Sequence, residues 1–307
     1  MKNPFDCGDL TVLQAMPPEQ QAAKLAAAGE LDFAAPPIEE SGPGSRHSFL
    51  SLLEKFKGDS RRRLYLNTTH VFGFVSAQAR GRSIRVRDAG DIDRKEILTS
   101  DRIDIALNRL RVAAYPGSGI HRILFDFYAQ NALEDQVEDV HFNATYRVKE
   151  GDQAGVLGYP IFLGLKVGRR GAAFSGFTVN VKNDNDQKFL DFMESSVFKK
   201  GLQLATSLQP AIKPLSEMAF GLTRAFAKRN ENVPVQDFFL GLDKGQTAMG
   251  ARLAVGDYVI VQVPQDEADR WNWDEWQYFR SAGRIAKTED KNAGLPFNHV
   301  VISVSPS

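Results

Sequence analysis

The sequence is poor in the features that most directly announce a function. Among 307 residues there is one cysteine, Cys7, so no intrachain disulfide can close and no cysteine zinc site can be assembled. The 38 basic and 38 acidic side chains cancel, which removes the overall positive charge expected of a protein that coats a polyanion. Nowhere do 18 consecutive apolar residues occur, and Lys2 is followed by Pro4, Asp6 and Asp9 instead of an apolar leader. A reducing, cytoplasmic setting is the expectation. Strings that carry catalysis are missing too: there is no GxSxG, HExxH, GxxxxGK[ST] or GxGxxG, and no repeat with a period of 20 to 50 residues.

What is present is ample material for a folded core, with 43% hydrophobic and 25% charged residues. Residues 1–45 form an N-terminal arm of a different composition from the rest, broken at Pro17-Pro18, Pro36-Pro37 and Gly42-Pro43-Gly44. One helix is predicted inside it, with Pro18 in the first turn and Gly29 as the stop. Its apolar side chains are nearly all alanine, so the arm is expected to be extended or partly disordered unless it docks. A second helix is predicted between Ser45 and Gly58, with Phe49, Leu52, Leu53 and Phe56 on one face.

From there to residue 307 the chain reads as a β-rich body. Strands are predicted at Leu64–Ala79, Ser83–Arg87, Ile103–Ala114, His121–Asn131, Val140–Lys149, Val156–Val167 and Phe174–Lys182. Further strands are predicted at Val235–Leu242, Tyr258–Val263, Glu275–Phe279 and Phe297–Val304, with a hairpin turn at Ser281-Ala282-Gly283. The connections from 103 to 183 are too short for helical crossovers, so the pairing should be antiparallel. A helical insertion is predicted at 186–230, its third helix placing Leu215, Met218, Ala219, Leu222 and Phe226 on one face before the basic end Lys228-Arg229. The fold class is therefore α+β: a mainly antiparallel β-sandwich-like body, 46–307, with a helical insertion and the arm.

Charge is segregated along this neutral chain. Arg61, Arg62, Arg63, Arg80, Arg82, Arg85 and Arg87 face only Asp59 within residues 59–87. Such a cluster can bind phosphate groups or a protein partner; it can also pair with acidic segments of the same chain. Two acidic segments exist, at 126–139 and at 266–275, while 197–230 carries Lys199, Lys200, Lys213, Arg224, Lys228 and Arg229. Arg85 and Arg87, two apart, are expected to share one strand face.

Three other groups can carry chemistry. Trp271, Trp273 and Trp276 are the only tryptophans, and they mark a binding hot spot if exposed or a closure of the sandwich if buried. His121, His141 and Asp126 fall on neighbouring predicted strands and would define a metal-dependent hydrolase if they converge. Asn183-Asp184-Asn185-Asp186, with Asp126, Asp135, Asp139, Asp243 and Asp257, suggests a calcium-dependent, C2-like membrane module. Gly117-Ser118-Gly119-Ile120-His121 sits in a turn between strands, where a nucleophile elbow does not form.

No catalytic constellation emerges from these residues, and no cofactor or metal is assigned. The expectation is a non-enzymatic protein that binds a protein partner or its own copies as a homo-oligomer, through the seven arginines or the three tryptophans. A membrane-active or lipid-binding role is the alternative, a metal-dependent hydrolase a further one, and nucleic acid is the less favoured partner.

Overall fold

The computed structural model of the protein describes residues 10–28, 61–132, 137–182, 223–229, 232–245, 250–280 and 282–307, and the statements that follow concern these. The predicted helix at 45–58, most of the insertion at 186–230 and the Asn183–Asp186 loop lie outside the described residues.

The fold is mainly antiparallel β and sandwich-like. Fourteen strands run in chain order: β1 Thr68–Ser76, β2 Ser83–Arg85, β3 Arg87–Asp88, β4 Arg102–Val112, β5 Ile120–Ala132, β6 Val137–Lys149, β7 Asp152–Gln153, β8 Tyr159–Lys166, β9 Gly171–Asn180, β10 Val233–Asp243, β11 Gly256–Pro264, β12 Trp276–Phe279, β13 Arg284–Lys287 and β14 His299–Pro306. They form a seven-stranded central sheet in the order β3-β1-β11-β14-β4-β7, with β8 also on β4. Beside it stand a four-stranded sheet, β10-β9-β5-β6, and a three-stranded one, β13-β12-β2.

Alternation along the strands explains how the layers stack. In β5, Ile123, Phe125, Phe127 and Ala129 enter the main core together with Phe74, Tyr258, Ile260, Val300 and Ile302 of the central sheet. These are the facing inner surfaces of a sandwich. The opposite side chains of the central sheet, Val75, Val259, Val261, Val263 and Val301, are equally buried, but against Ile84, Val86, Trp273, Trp276, Tyr278 and Ile285 of the small sheet and its approach. The central sheet is thus covered on both faces, which is why Tyr258 to Val263 reads as a nearly unbroken apolar run. The outer face of the four-stranded sheet is covered in turn, with Leu124, Tyr128, Phe177 and Val179 packed by Leu10, Val12 and by Phe226 and Ala227 of the helix at 223–228.

Two sequence-based boundaries shift for local reasons. β1 begins at Thr68 and not Leu64, because Arg62–Leu64 form a 3-10 turn and Asn67 takes a positive φ of 53°. Ser83 to Arg87 is not one strand. The chain changes sheet at Val86: β2 pairs with β12, whereas Arg87 and Asp88 pair with Phe74 and Gly73 of β1.

Residues 10–28 of the arm lie against the body. The helix Pro18–Ala27 is poor in large side chains, but Leu13 and Leu25, both 0% exposed, and Ala28 enter the main core. Lys24 Nζ donates to the carbonyls of Ala227 (3.3 Å), Asn232 (2.8 Å) and Arg229, and burial lowers its ammonium to about 8. A buried amide network closes the same end of the sandwich. Asn298 Nδ2 donates to the carbonyls of Leu64 and Ala114 and to Gln262 Oε1, and its Oδ1 accepts from the Ala113 and Ala114 amides. Gln262 Nε2 donates in turn to Thr68 Oγ1, which meets Gln14 of the arm.

Leu25→Ala is therefore expected to act as a core truncation and not as a tail mutation, lowering stability by about 2–4 kcal/mol in urea unfolding. A change within about 0.5 kcal/mol, the ordinary range for surface substitutions, would show that the arm does not belong to the cooperative core.

Candidate functional site

Four of the seven arginines are matched by carboxylates of the same chain. Arg61 Nε lies 2.5 Å from Glu150 Oε1, and its Nη2 donates to the carbonyls of Tyr115 (2.7 Å) and Gly117. Arg63 meets Asp266 at 2.8 Å and Glu267 at 3.6 Å; Arg85 meets Asp274; Arg87 meets Glu96 at 2.6 Å while its guanidinium lies over the Phe74 ring at 5.7 Å. The acidic segment 266–275 thus receives two of the four, Arg63 and Arg85, and Glu150 and Glu96 receive the others. Arg85 and Arg87 do not share a face, because the change of sheet at Val86 sends them to different partners. Arg62 is half-buried, and Arg80 and Arg82 are exposed with no ion pair among the described residues.

The three tryptophans are brought together. A short helix, Gln265–Ala268, and a 3-10 turn, Trp273–Glu275, follow β11 and fold the segment back over the outer face of the central sheet. Asn272 caps that turn by accepting from the Asp274 amide at 3.0 Å. Trp273 and Trp276 are each 5% exposed. Trp273 lies directly on Gly73, where a Cβ would stand 2.8 Å from the indole, so only glycine admits this close approach.

Trp271 is half-buried, and it lines a surface groove together with an edge of Trp276. Its ring stacks on Trp276 at 5.7 Å and 7°, with Trp273 (5.3 Å, 76°) and Phe297 (5.6 Å, 64°) edge-on to it. The groove encloses about 580 Å³, and Glu267, Arg270, Glu275 and Lys287 line it along with the aromatic rings. Lys287 Nζ lies 5.8 Å from the centre of the Trp276 ring. The indole N–H groups of Trp271 and Trp273 are buried and have no acceptor among the described residues. The cluster thus combines the two readings that the sequence leaves open: Trp273 and Trp276 are buried in the core, while Trp271, the most exposed of the three, lines the groove together with Trp276.

The histidines do not converge. His121 is on the core side of β5, as Ile123 and Phe125 are, while His141 stands opposite Tyr128 on the outer side. His141 Nδ1 lies 3.1 Å from Asp126 Oδ1, both residues being buried, so the proposed trio separates into a pair and a single residue on opposite faces. His121 is 0% exposed, with Nε2 3.9 Å from Glu150 Oε2. Desolvation, and next the Lys182 charge, hold it below the ordinary imidazole range, against the opposing pull of Glu150. Among the described residues, no three His, Cys, Asp or Glu side chains are grouped to hold a metal ion. Asp139 accepts from Tyr128 Oη, Asp243 from the Gly245 amide, and Asp257 from Asn108 Nδ2 at 2.9 Å.

His299, 1% exposed, was not singled out by its sequence context. Its Nδ1 lies 2.9 Å from the Phe297 carbonyl, and its imidazole is pushed down to about 3 by desolvation and then by Arg109 and Arg111. His70 is brought to about 4 by desolvation, opposed by Gln236.

No family model, no curated protein and no solved structure matches this chain. The functional reading therefore rests on the geometry itself.

Histidines neutral in the folded chain and protonated in the unfolded one give a definite pH dependence. In the window between their folded values and about 6.5 the unfolded state binds more protons, so stability is full above that window and falls as the pH drops through it. For His299 the loss between neutral pH and pH ~4.5 is on the order of 2–3 kcal/mol. Urea midpoints measured across that range should fall for the wild type and fall less for His299→Gln. A parallel decline in the two proteins would remove His299 as a source.

Proposed function

We propose that the protein is a non-enzymatic binding protein that takes an extended, proline-containing segment of a partner polypeptide into the Trp271 groove. The observation that carries this reading is the Trp271 ring, stacked on Trp276 and braced edge-on by Trp273 and Phe297 at the wall of the groove. An aromatic anchor held in place beforehand loses little rotamer freedom on binding, and aromatic anchors ringed by polar groups are the pattern of protein hot spots.

Proline-rich segments suit such a groove because they are extended before binding and present unpaired carbonyls. Arg270 and Lys287 against Glu267 and Glu275 provide charges of both signs along the groove, which set direction and register more than affinity.

Self-association through a broad apolar face has less support. Among the described residues, the exposed large apolar side chains are Ile120, Val137, Leu157, Leu163 and Phe239. Ile120 and Val137 lie at opposite ends of the β5–β6 ladder, Leu163 is on β8, and Phe239 is on β10 in the other sheet. For the membrane alternative, no helix among the described residues is long and apolar enough to cross a bilayer.

Because all three tryptophans of the chain belong to this cluster, intrinsic fluorescence reports on it directly. Titration with a panel of proline-rich peptides should give a saturable change in emission, which proline-free scrambled peptides do not reproduce. Trp271→Ala should weaken binding at least tenfold, or about 1.4 kcal/mol, while Arg82→Gln leaves it unchanged. Sedimentation is run alongside. No response to any peptide defeats the proposal, and a concentration-dependent dimer abolished by Trp271→Ala replaces the peptide with a second copy.

A further inference from the structure

A strand at the side of a sheet leaves half of its backbone N–H and C=O groups unpaired unless another chain runs beside it. β1 is such a strand over part of its length. It pairs with β11 from Thr68 to Ser76, but β3 pairs with it only at Gly73 and Phe74, so among the described residues no strand lies beside Thr68 to Phe72 on that side. The parity of the ladder identifies the groups left over. The Ala77 amide donates to the Val255 carbonyl and the Gln265 amide to the Asn67 carbonyl, both in register with the β1–β11 ladder, so the odd-numbered residues between them bond to β11. His70 and Phe72 therefore turn their backbone groups to the open side, as Phe74 turns its own towards Arg87.

The open side is a groove. Past Asp88 the chain leaves β1 in the 3-10 turn Ala89–Asp91, and a cavity of about 370 Å³ opens between that turn and His70, Val71 and Phe72. Ala268 and Trp271 wall it on the face where Val71 packs towards the small sheet, and Gly250 and Ala251 wall it on the face where Phe72 packs on the main core. Free edges are ordinarily guarded by charge, proline or a bulge. Thr68-Thr69-His70-Val71-Phe72 carries no acidic residue, lysine, arginine or proline, and its register with β11 is unshifted. The walls are the guard here: they admit a single extended chain, whereas the edge of a second sheet would bring its own flanking segments against them.

The lining states what that chain is like. An added strand sends alternate side chains to the two walls, and Ala89, Gly90, Gly250, Ala251 and Ala268 leave room for side chains of medium size. β-branched residues fit such a slot, while proline cannot donate to His70 or Phe72. Trp271 lines both this groove and the larger one beside Trp276, so a chain that leaves one enters the other.

We propose that the open side of β1 at His70 and Phe72 is a strand-addition site, which takes the proline-free residues adjoining the proline-containing segment of the partner polypeptide. The identity of the partner rests on the reading of the Trp271 groove as a peptide site; the pairing is carried by β1.

The probes are a proline-rich peptide that binds the full-length chain and the same peptide lengthened at either end by about four residues of alternating valine and threonine. One of the two extensions should raise affinity at least about tenfold and slow hydrogen exchange at the His70 and Phe72 amides. N-methylation at alternate amides of that extension should remove the gain for the set facing β1 and leave it for the other set. A Cβ at Gly250 meets no atom within 4 Å, so Gly250→Phe narrows the groove without disturbing the fold. This variant should lose the gain and keep both its unfolding midpoint and its affinity for the short peptide. Binding of the short peptide with no gain from either extension overturns the strand-addition site and leaves the Trp271 groove standing. A gain indifferent to N-methylation and to Gly250→Phe overturns it as well, and no binding by any of these peptides overturns both readings. A concentration-dependent dimer abolished by Gly250→Phe would assign the edge to a second copy instead.

Discussion

The structure depends on a central sheet that must be apolar on both faces. Tyr258 and Ile260 of β11 fill the sandwich core while Val259, Val261 and Val263, alternating with them, pack against the small sheet. A strand of this kind cannot be left half-covered, because each exposed valine would forfeit roughly 1.5–3 kcal/mol of burial. The three-stranded sheet is the cover, and its placement fixes where the tryptophans lie, since Trp273 is seated on Gly73. It also fixes the cost of polar residues on the same surface, Arg109 and His299 above all. The Trp271 groove therefore lies at the margin of this interface, where apolar closure gives way to charged side chains.

Electrostatics follows from the same folding back of the chain. The segment after β11 carries the acids at 266–275 across the start of the body, and Arg63 and Arg85 receive them. Such exposed pairs contribute little stability each, typically under about 1 kcal/mol, and their main effect is to remove net field from that surface. The large local excess in the sequence thus becomes modest in three dimensions.

Local patterns were readable where one rule governs the element. Alternation in β5 and β6, the proline at the start of the helix Pro18–Ala27 and short connections leading to antiparallel ladders all follow from sequence-neighbour physics. The small sheet was only partly legible: β12 and its turn were marked, but β13, Arg284–Lys287, is four residues long and owes its state to pairing with β12. Ser83 to Arg87 looked continuous because alternation gives no sign of a change of partner. His121 and His141 are close in a strand list, yet residue parity around the β5–β6 hairpin sends them to opposite faces.

By itself, then, the sequence determined the class of fold, the antiparallel connectivity and the bunching of the aromatic residues, since these depend on periodicity, turn length and composition. Tertiary structure alone decided which charges cancel, which tryptophans line a groove and which buried donors and acceptors are left unmatched. Those properties arise from contacts between segments far apart in the chain, such as Arg63 with Asp266 across 203 residues, and no local pattern encodes the partner.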